Sequence, residues 1–84
     1  MIKIWGKILI NEKIIKHKSV EINPKTTSFF EMLKTVSEQL GISTPVLLDK
    51  HVYDFNVFGF CVFKPDDFVE NVIFDKFVLE RIKE

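Results

Sequence analysis

The hydrophobic pattern of this chain changes its period at Asn23-Pro24, and this change restricts the folds open to it. Before Asn23, two isoleucine-rich stretches alternate apolar with polar residues, which is typical of half-buried strands. After Pro24, apolar residues recur at the spacing of one helical face. That face consists of Phe29, Met32, Leu33, Val36 and Leu40. A hairpin followed by a helix indicates an α+β domain.

Composition limits the class of protein. The chain has 84 residues, which suits a single domain spanning residues 1–84. It is 46% hydrophobic and 29% charged, as in folded soluble domains, but its nine phenylalanines are more than two short helices can cover. The lone Cys61 excludes an intramolecular disulfide and favours a cytoplasmic location. No apolar run reaches about 18 residues, so we expect neither a membrane span nor a signal peptide.

The N-terminal hairpin pairs the strand at Ile2–Ile10 with the strand at Ile14–Ile22, and two registers compete. A two-residue loop at Asn11-Glu12 places Lys7 opposite Lys16, a like-charge pair that destabilises a sheet. A three-residue loop avoids this pair, and we predict it. Its turn is Asn11-Glu12-Lys13, and its pairs are Ile10 with Ile14, Ile4 with Val20, Ile2 with Ile22 and Lys3 with Glu21. Lys16 and Lys18 then fall on the isoleucine face unless a bulge in the second strand turns them outward.

Two helices are predicted after the hairpin. The first begins near Thr27 or Ser28, because Ser28 and Glu31 form a capping box. It ends at Gly41, and Ile42 is expected to fold back on the helix as in a Schellman motif. The second helix starts with Thr44 as its cap and Pro45 at its first position, and it runs to about Asn56. Its apolar stripe is Leu48, Val52, Phe55 and Phe58.

The C-terminal third is read as two further strands. Val57–Phe63 is apolar on both alternating faces and too short for a helix, so we predict a strand. A turn is expected at residues 64–67. Residues 72–82 are rich in β-branched and aromatic residues, which favours a strand. The alternative there is a helix, because Val69, Ile73 and Phe77 recur every four residues. The order is then ββααββ, which leaves room for a β-grasp-like closure of the last strand against the first.

The residues that usually carry chemistry form no catalytic or metal-binding pattern. His17 and His51 are too far apart in sequence to match a helical two-histidine metal motif. Cys61 lies in an apolar run, where a cysteine is expected to be a small core residue. The carboxylates Asp66, Asp67, Glu70 and Asp75 lack the spacing of a calcium loop. We therefore expect no metal or cofactor, and enzymatic activity is the least favoured function.

One candidate binding surface is the basic face of the hairpin. In the predicted register Trp5 shares a face with Lys3, Lys7 and His17. An exposed indole among cations is able to stack a base while the ammonium groups neutralise phosphates. Nucleic-acid binding is therefore one hypothesis. The alternative is that Trp5 merely covers the aliphatic stems of the lysines.

The second candidate surface is aromatic. On a strand at residues 57–63, Phe58, Phe60 and Val62 face one way, yet two helices cover only one side of a sheet. Either other parts of the chain cover these side chains, or a protein partner or second copy does. The function favoured by the sequence is therefore a small binding or protein-interaction module that uses an aromatic sheet surface.

A resemblance covers most of the chain. It rests on short, separate motifs: Trp5-Gly6-Lys7-Ile8, Pro45 with Leu48 and Lys50, Phe63 with Asp67-Phe68 and Glu70, and Phe74-Asp75. With these motifs the chain resembles a family of small bacterial proteins of unknown function. The resemblance implies one α+β unit of cytoplasmic origin, and it implies no site, ligand or partner.

Overall fold

A computed structural model describes residues 1–82, so Lys83 and Glu84 lie outside the described residues. The described chain forms a four-stranded antiparallel sheet and two helices in the predicted order ββααββ. The elements are β1 (Ile2–Ile10), β2 (Lys13–Ile22), α1 (Phe29–Leu40), α2 (Asp49–Phe58), β3 (Phe60–Phe63) and β4 (Lys76–Ile82). A single 3₁₀ turn at Pro65–Asp67 follows β3. Neither helix of this part of the chain is long and apolar enough to cross a membrane.

The strands lie in the order β2-β1-β4-β3. The last strand therefore closes against the first, as the sequence suggested, and pairs with it antiparallel. Both helices pack on one face of the sheet. The buried core between the two layers includes Ile4, Ile8, Met32, Leu33, Val36, Leu40, Phe55, Cys61, Phe63, Phe77 and Leu79.

The hairpin combines features of both predicted registers. Its turn has two residues, Asn11 and Glu12, each with a positive φ (52° and 65°) as the tightest hairpin turns require. The register shifts between Ile8 and Leu9, because a bulge at Ile15 places one extra residue in β2. The predicted pairs Ile2–Ile22, Lys3–Glu21 and Ile4–Val20 are confirmed, whereas Ile10–Ile14 is wrong because Ile10 pairs with Lys13.

The bulge also removes the like-charge pair that a two-residue turn would otherwise create. Beyond it Lys7 pairs with His17 instead of Lys16, so two lysines no longer face each other. Lys16 and Lys18 are opposite Ile8 and Gly6, and the bulge does not turn them away from the isoleucine face. They remain exposed because β2 is an edge strand.

The first helix forms as predicted. Ser28 is its N-cap, and the Ser28–Glu31 capping box has both hydrogen bonds, at 3.1 and 3.3 Å. Gly41 ends the helix with a φ of 71°. The N–H of Ile42 donates to the carbonyl of Ser37 at 3.0 Å, which is the long hydrogen bond of a Schellman motif.

The second helix begins four residues later than Thr44-Pro45 predicted. Residues 42–48 are irregular, and the N–H of Val46 donates to the carbonyl of Asp67 at 2.7 Å. This bond holds the segment beside the 3₁₀ turn, so the local start signal is overridden by a long-range contact. The helix continues through Phe58 to Gly59, whose φ of 83° ends it.

The C-terminal strands are shorter than predicted. The prediction of a strand from Val57 is wrong, since β3 starts only at Phe60. The strand prediction for residues 72–82 holds from Lys76 onward. Residues 68–75 are irregular, so the helical alternative does not form. Phe68 and Phe74 anchor this loop in the core, with their rings edge to face at 5.3 Å.

Candidate interaction surface

The sheet face turned away from the helices, the open face, brings together residues of all four strands. Two rows cross it, and strand pairing places their members side by side. One row is Phe60, Glu80, Trp5 and Ser19, and the other is Val62, Val78, Lys7 and His17; Lys3 adjoins the first row. None of these nine residues is buried. No described element covers this face.

The structure therefore joins the two candidate surfaces that the sequence treated separately. Trp5, Lys3, Lys7 and His17 share the open face as predicted, and Phe60 and Val62 share it with them. Phe58 is different, because it ends α2 and does not lie on a strand. Its ring nevertheless lies beside that of Phe60, with centroids 6.4 Å apart.

The polar groups around Trp5 are engaged with one another. The indole Nε1–H donates to Nδ1 of His17 at 3.1 Å, and the two rings meet edge to face. Lys7 Nζ lies 4.2 Å from the Trp5 ring centroid, a cation–π distance, and 2.8 Å from Oε1 of Glu80. The charge of Lys7 is thus neutralised within the molecule.

The aromatic corner, formed by Phe58, Phe60 and Val62, is more exposed than the surroundings of Trp5. Phe58 is 63% exposed and Phe60 is 46% exposed. The left-handed turn at Gly59 lies between them and directs the chain from helix to strand. Neither ring is covered by the loop carrying Phe68, which packs in the core.

A groove of about 350 Å³ runs between α2 and the outer side of β3. Its helical wall consists of Lys50, His51, Asp54 and Phe58, and its strand wall consists of Phe60, Cys61, Val62 and Lys64. The groove and the exposed phenylalanines form one continuous surface at the β3 side of the molecule.

His51 lies in the first turn of α2 and is buried against β3. It is only 1% exposed and stacks on Phe63, with ring centroids 4.2 Å apart. Its Nδ1 accepts the N–H of Leu48 at 3.0 Å. This bond gives a partner to a backbone N–H at the start of α2, where the helix has no Ser or Thr cap. Its Nε2 lies 3.4 Å from Oδ2 of Asp67. Nothing in the sequence distinguishes this histidine from an exposed one.

Burial sets the protonation state of His51. Desolvation lowers its pKa below the usual 6.5, and the nearby carboxylate of Asp67 opposes this only in part. The folded protein therefore holds His51 neutral, whereas the unfolded chain takes up a proton below about pH 6.5. The contribution of neutral His51 to the free energy of unfolding is therefore fully present above this pH. It decreases as the pH falls from there through the lower pKa of the folded state.

Urea unfolding from neutral pH down to about pH 5 is expected to show this loss of stability. In His51→Gln the pH dependence is reduced, because glutamine does not titrate and is able to accept the N–H of Leu48 as in a capping box. His17→Gln, which replaces the other histidine of the chain, is the comparison variant. Equal slopes for the two variants contradict this role of His51.

Cys61 is a core residue, as expected. It is 1% exposed, and desolvation raises its pKa to about 12, so the thiolate needed for nucleophilic attack is strongly disfavoured. Within residues 1–82, no three His, Cys, Asp or Glu side chains are grouped so as to hold a metal ion. The carboxylate of Asp67 instead accepts the N–H of Lys64 at 2.9 Å, a capping role consistent with the predicted turn.

Comparison with known proteins adds no relationship, since this chain matches no family model, no curated protein and no solved structure. The resemblance based on its short motifs therefore stays a prediction.

Proposed function

We propose that this protein is a protein-interaction module that binds its partner at the aromatic corner formed by Phe58, Phe60 and Val62. The observation that carries this proposal is the exposure of two adjacent phenylalanines at the rim of an uncovered sheet face. A small domain has little apolar surface to spare, because its core is thin. Clustered exposed aromatic side chains mark interaction sites more often than isolated ones.

The test is selection of peptides from a random linear library displayed on phage, with the wild-type protein as bait. A matched bait carries Phe58→Ser and Phe60→Ser, which remove the exposed rings and leave the buried core untouched. Peptides enriched on the wild-type protein and lost on the double variant support the proposal. Peptides that bind both proteins equally, or no enrichment at all, contradict it.

Nucleic-acid binding is the second candidate. It is favoured by the cross-sheet row in which Trp5 and Phe60 are separated only by Glu80, on a face that also carries Lys3 and Lys7. Two aromatic rings on an open sheet suit base stacking. This function ranks second, because Glu80 pairs with Lys7 and places a carboxylate where phosphates would approach.

Trp5 is the only tryptophan, so its fluorescence reports directly on this second candidate. If the open face binds single strands, oligothymidylate quenches the emission, and the quenching weakens with added salt as counterion release requires. An unchanged spectrum at low salt rejects this function and leaves the first proposal intact.

A further inference from the structure

The outer edge of β3 presents unpaired backbone groups at the aromatic corner. The N–H of Arg81 donates to the carbonyl of Gly59 at 2.8 Å, which makes these two residues a hydrogen-bonded pair. Antiparallel ladders alternate, so Cys61 and Phe63 bond to β4 while Phe60 and Val62 direct their N–H and C=O groups away from it. Within residues 1–82, none of those four groups takes part in a backbone hydrogen bond outside the sheet.

The two edges of the sheet are protected very differently. The edge strand β2 carries Lys13, Lys16 and Lys18, all exposed, and lysines on an edge discourage pairing with another chain. The edge strand β3 has the sequence Phe-Cys-Val-Phe and no charge. Its short length limits pairing, but no charge on the strand opposes it, so strand addition is less opposed at this edge than at β2.

We propose that the β3 edge accepts an extended peptide segment of a partner protein as a fifth strand, with the segment's side chains on one face entering the groove beneath α2. This inference rests on the proposed interaction function and names its mode of recognition. The backbone of the segment bonds to Phe60 and Val62, which supplies affinity, and the groove selects alternate side chains.

A single strand fits this edge better than a second copy of the protein. The helix α2 packs over β3, since His51 stacks on Phe63 and Asp54 lines the groove. In a two-fold dimer joined at β3, the paired strands are about 4.8 Å apart. Each copy of α2 packs over its own β3, so the two helices would then be crowded against each other. An isolated extended segment brings no helix with it.

The charges of the groove specify the segment further. Lys50 and Lys64 face a single carboxylate, that of Asp54, so the groove has an excess of positive charge. We therefore expect a segment with apolar side chains at alternate positions and an acidic residue near Lys64.

The probe is a synthetic eight-residue peptide of alternating valine and threonine that ends in glutamate. Its amides are N-methylated along one edge, which leaves the other edge free and prevents the peptide from pairing with itself. The control peptide is methylated along both edges. Amide hydrogen exchange followed by NMR is the readout, because it identifies the N–H groups that become protected.

The expected result is new protection of the Phe60 and Val62 amides by the one-edge peptide and none by the control. Val62→Pro deletes one of these donors without breaking a bond to β4, and weakens binding at least about tenfold. Val78→Thr alters the neighbouring open-face residue on an interior strand and leaves binding within about twofold. Replacing the terminal glutamate by lysine weakens binding because Lys50 and Lys64 then repel it.

Four outcomes overturn this inference. Equal protection by both peptides, or none by the one-edge peptide at millimolar concentration, shows that the edge does not accept a strand. Protection of Phe60 and Val62 that rises with protein concentration alone assigns the edge to a second copy. Phage-selected peptides that bind through Phe58 and Phe60 without protecting either amide leave the proposed function standing and refute only the edge mode.

Discussion

Replacing Phe77 by alanine is expected to lower the free energy of unfolding by about 3–5 kcal/mol. Phe77 is fully buried, and its ring stacks on that of Phe63 with centroids 5.7 Å apart. The substitution leaves a cavity at the centre of the core, between the sheet and α1, that the surrounding side chains fill only in part. Urea unfolding measures the loss. The free energy of unfolding of a whole domain is only about 5–15 kcal/mol, so this variant is expected to be close to unfolding.

Phe58→Ala is the matched control, since it makes the same chemical change at a 63% exposed position. Its effect on stability is expected to stay within about 0.5 kcal/mol. A loss comparable to that of Phe77→Ala would show that Phe58 stabilises the fold, which would remove the reason for assigning it to binding. The pair of variants therefore tests whether the nine phenylalanines divide into structural and functional sets.

The elements that were predictable are those fixed by local chemistry. The capping box of Ser28 and Glu31 and the left-handed Gly41 set the limits of α1, because they satisfy the backbone of their own helix ends. The alternation of isoleucines in β1 is also a local pattern, and it placed Trp5, Lys3 and Lys7 on the correct face of the strand. A strand period needs no knowledge of the rest of the chain.

The predictions that failed depend on contacts between distant residues. Thr44-Pro45 is a genuine start signal, but the bond from Val46 to Asp67 holds that segment extended. At the helix start that forms instead, the N–H of Leu48 donates to the buried ring of His51. The sequence patterns for helix caps do not include histidine in this role. The prediction that a strand begins at Val57 was wrong because Gly59, which ends α2, was taken as part of an apolar run.

The composition of the candidate site also depended on topology. Trp5 and Phe60 are 55 residues apart, and they share a row only because β4 lies between β1 and β3. No periodicity in the sequence specifies strand order. The sequence therefore placed Trp5, Lys3 and Lys7 on one strand face and Phe60 and Val62 on another, but it did not predict that the basic and aromatic sets form one face.

Gly6 is a position where the sheet lies directly against α1, and Gly6→Ala is expected to destabilise the protein by about 1–3 kcal/mol. A Cβ added to Gly6 would clash with Cγ1 of Val36, and it would lie 3.1 and 3.3 Å from atoms of Leu40 and Phe77. Val36 is β-branched and has essentially one rotamer in a helix, so its methyl group cannot rotate away. The helix must instead shift off the sheet. Denaturant unfolding of the single variant measures this effect.

A double-mutant cycle with Val36→Ala identifies the cause. Val36→Ala alone leaves a cavity and destabilises the protein, but in the Gly6→Ala background it also removes the clashing methyl group. The double variant is therefore expected to lose less stability than the sum of the two single variants, with a coupling of roughly 0.5–3 kcal/mol.

Gly59→Ala provides the contrast that makes the cycle decisive. Apart from its chain neighbours, no atom of the described residues lies within 4 Å of a Cβ added at Gly59, but its φ of 83° imposes a backbone penalty of about 1–2 kcal/mol on alanine. This loss is independent of Val36, so its cycle with Val36→Ala is expected to be additive. Coupling at Gly6 without coupling at Gly59 assigns the first glycine to close packing of helix on sheet and the second to backbone conformation. Additivity at both positions would mean that α1 does not rest on Gly6.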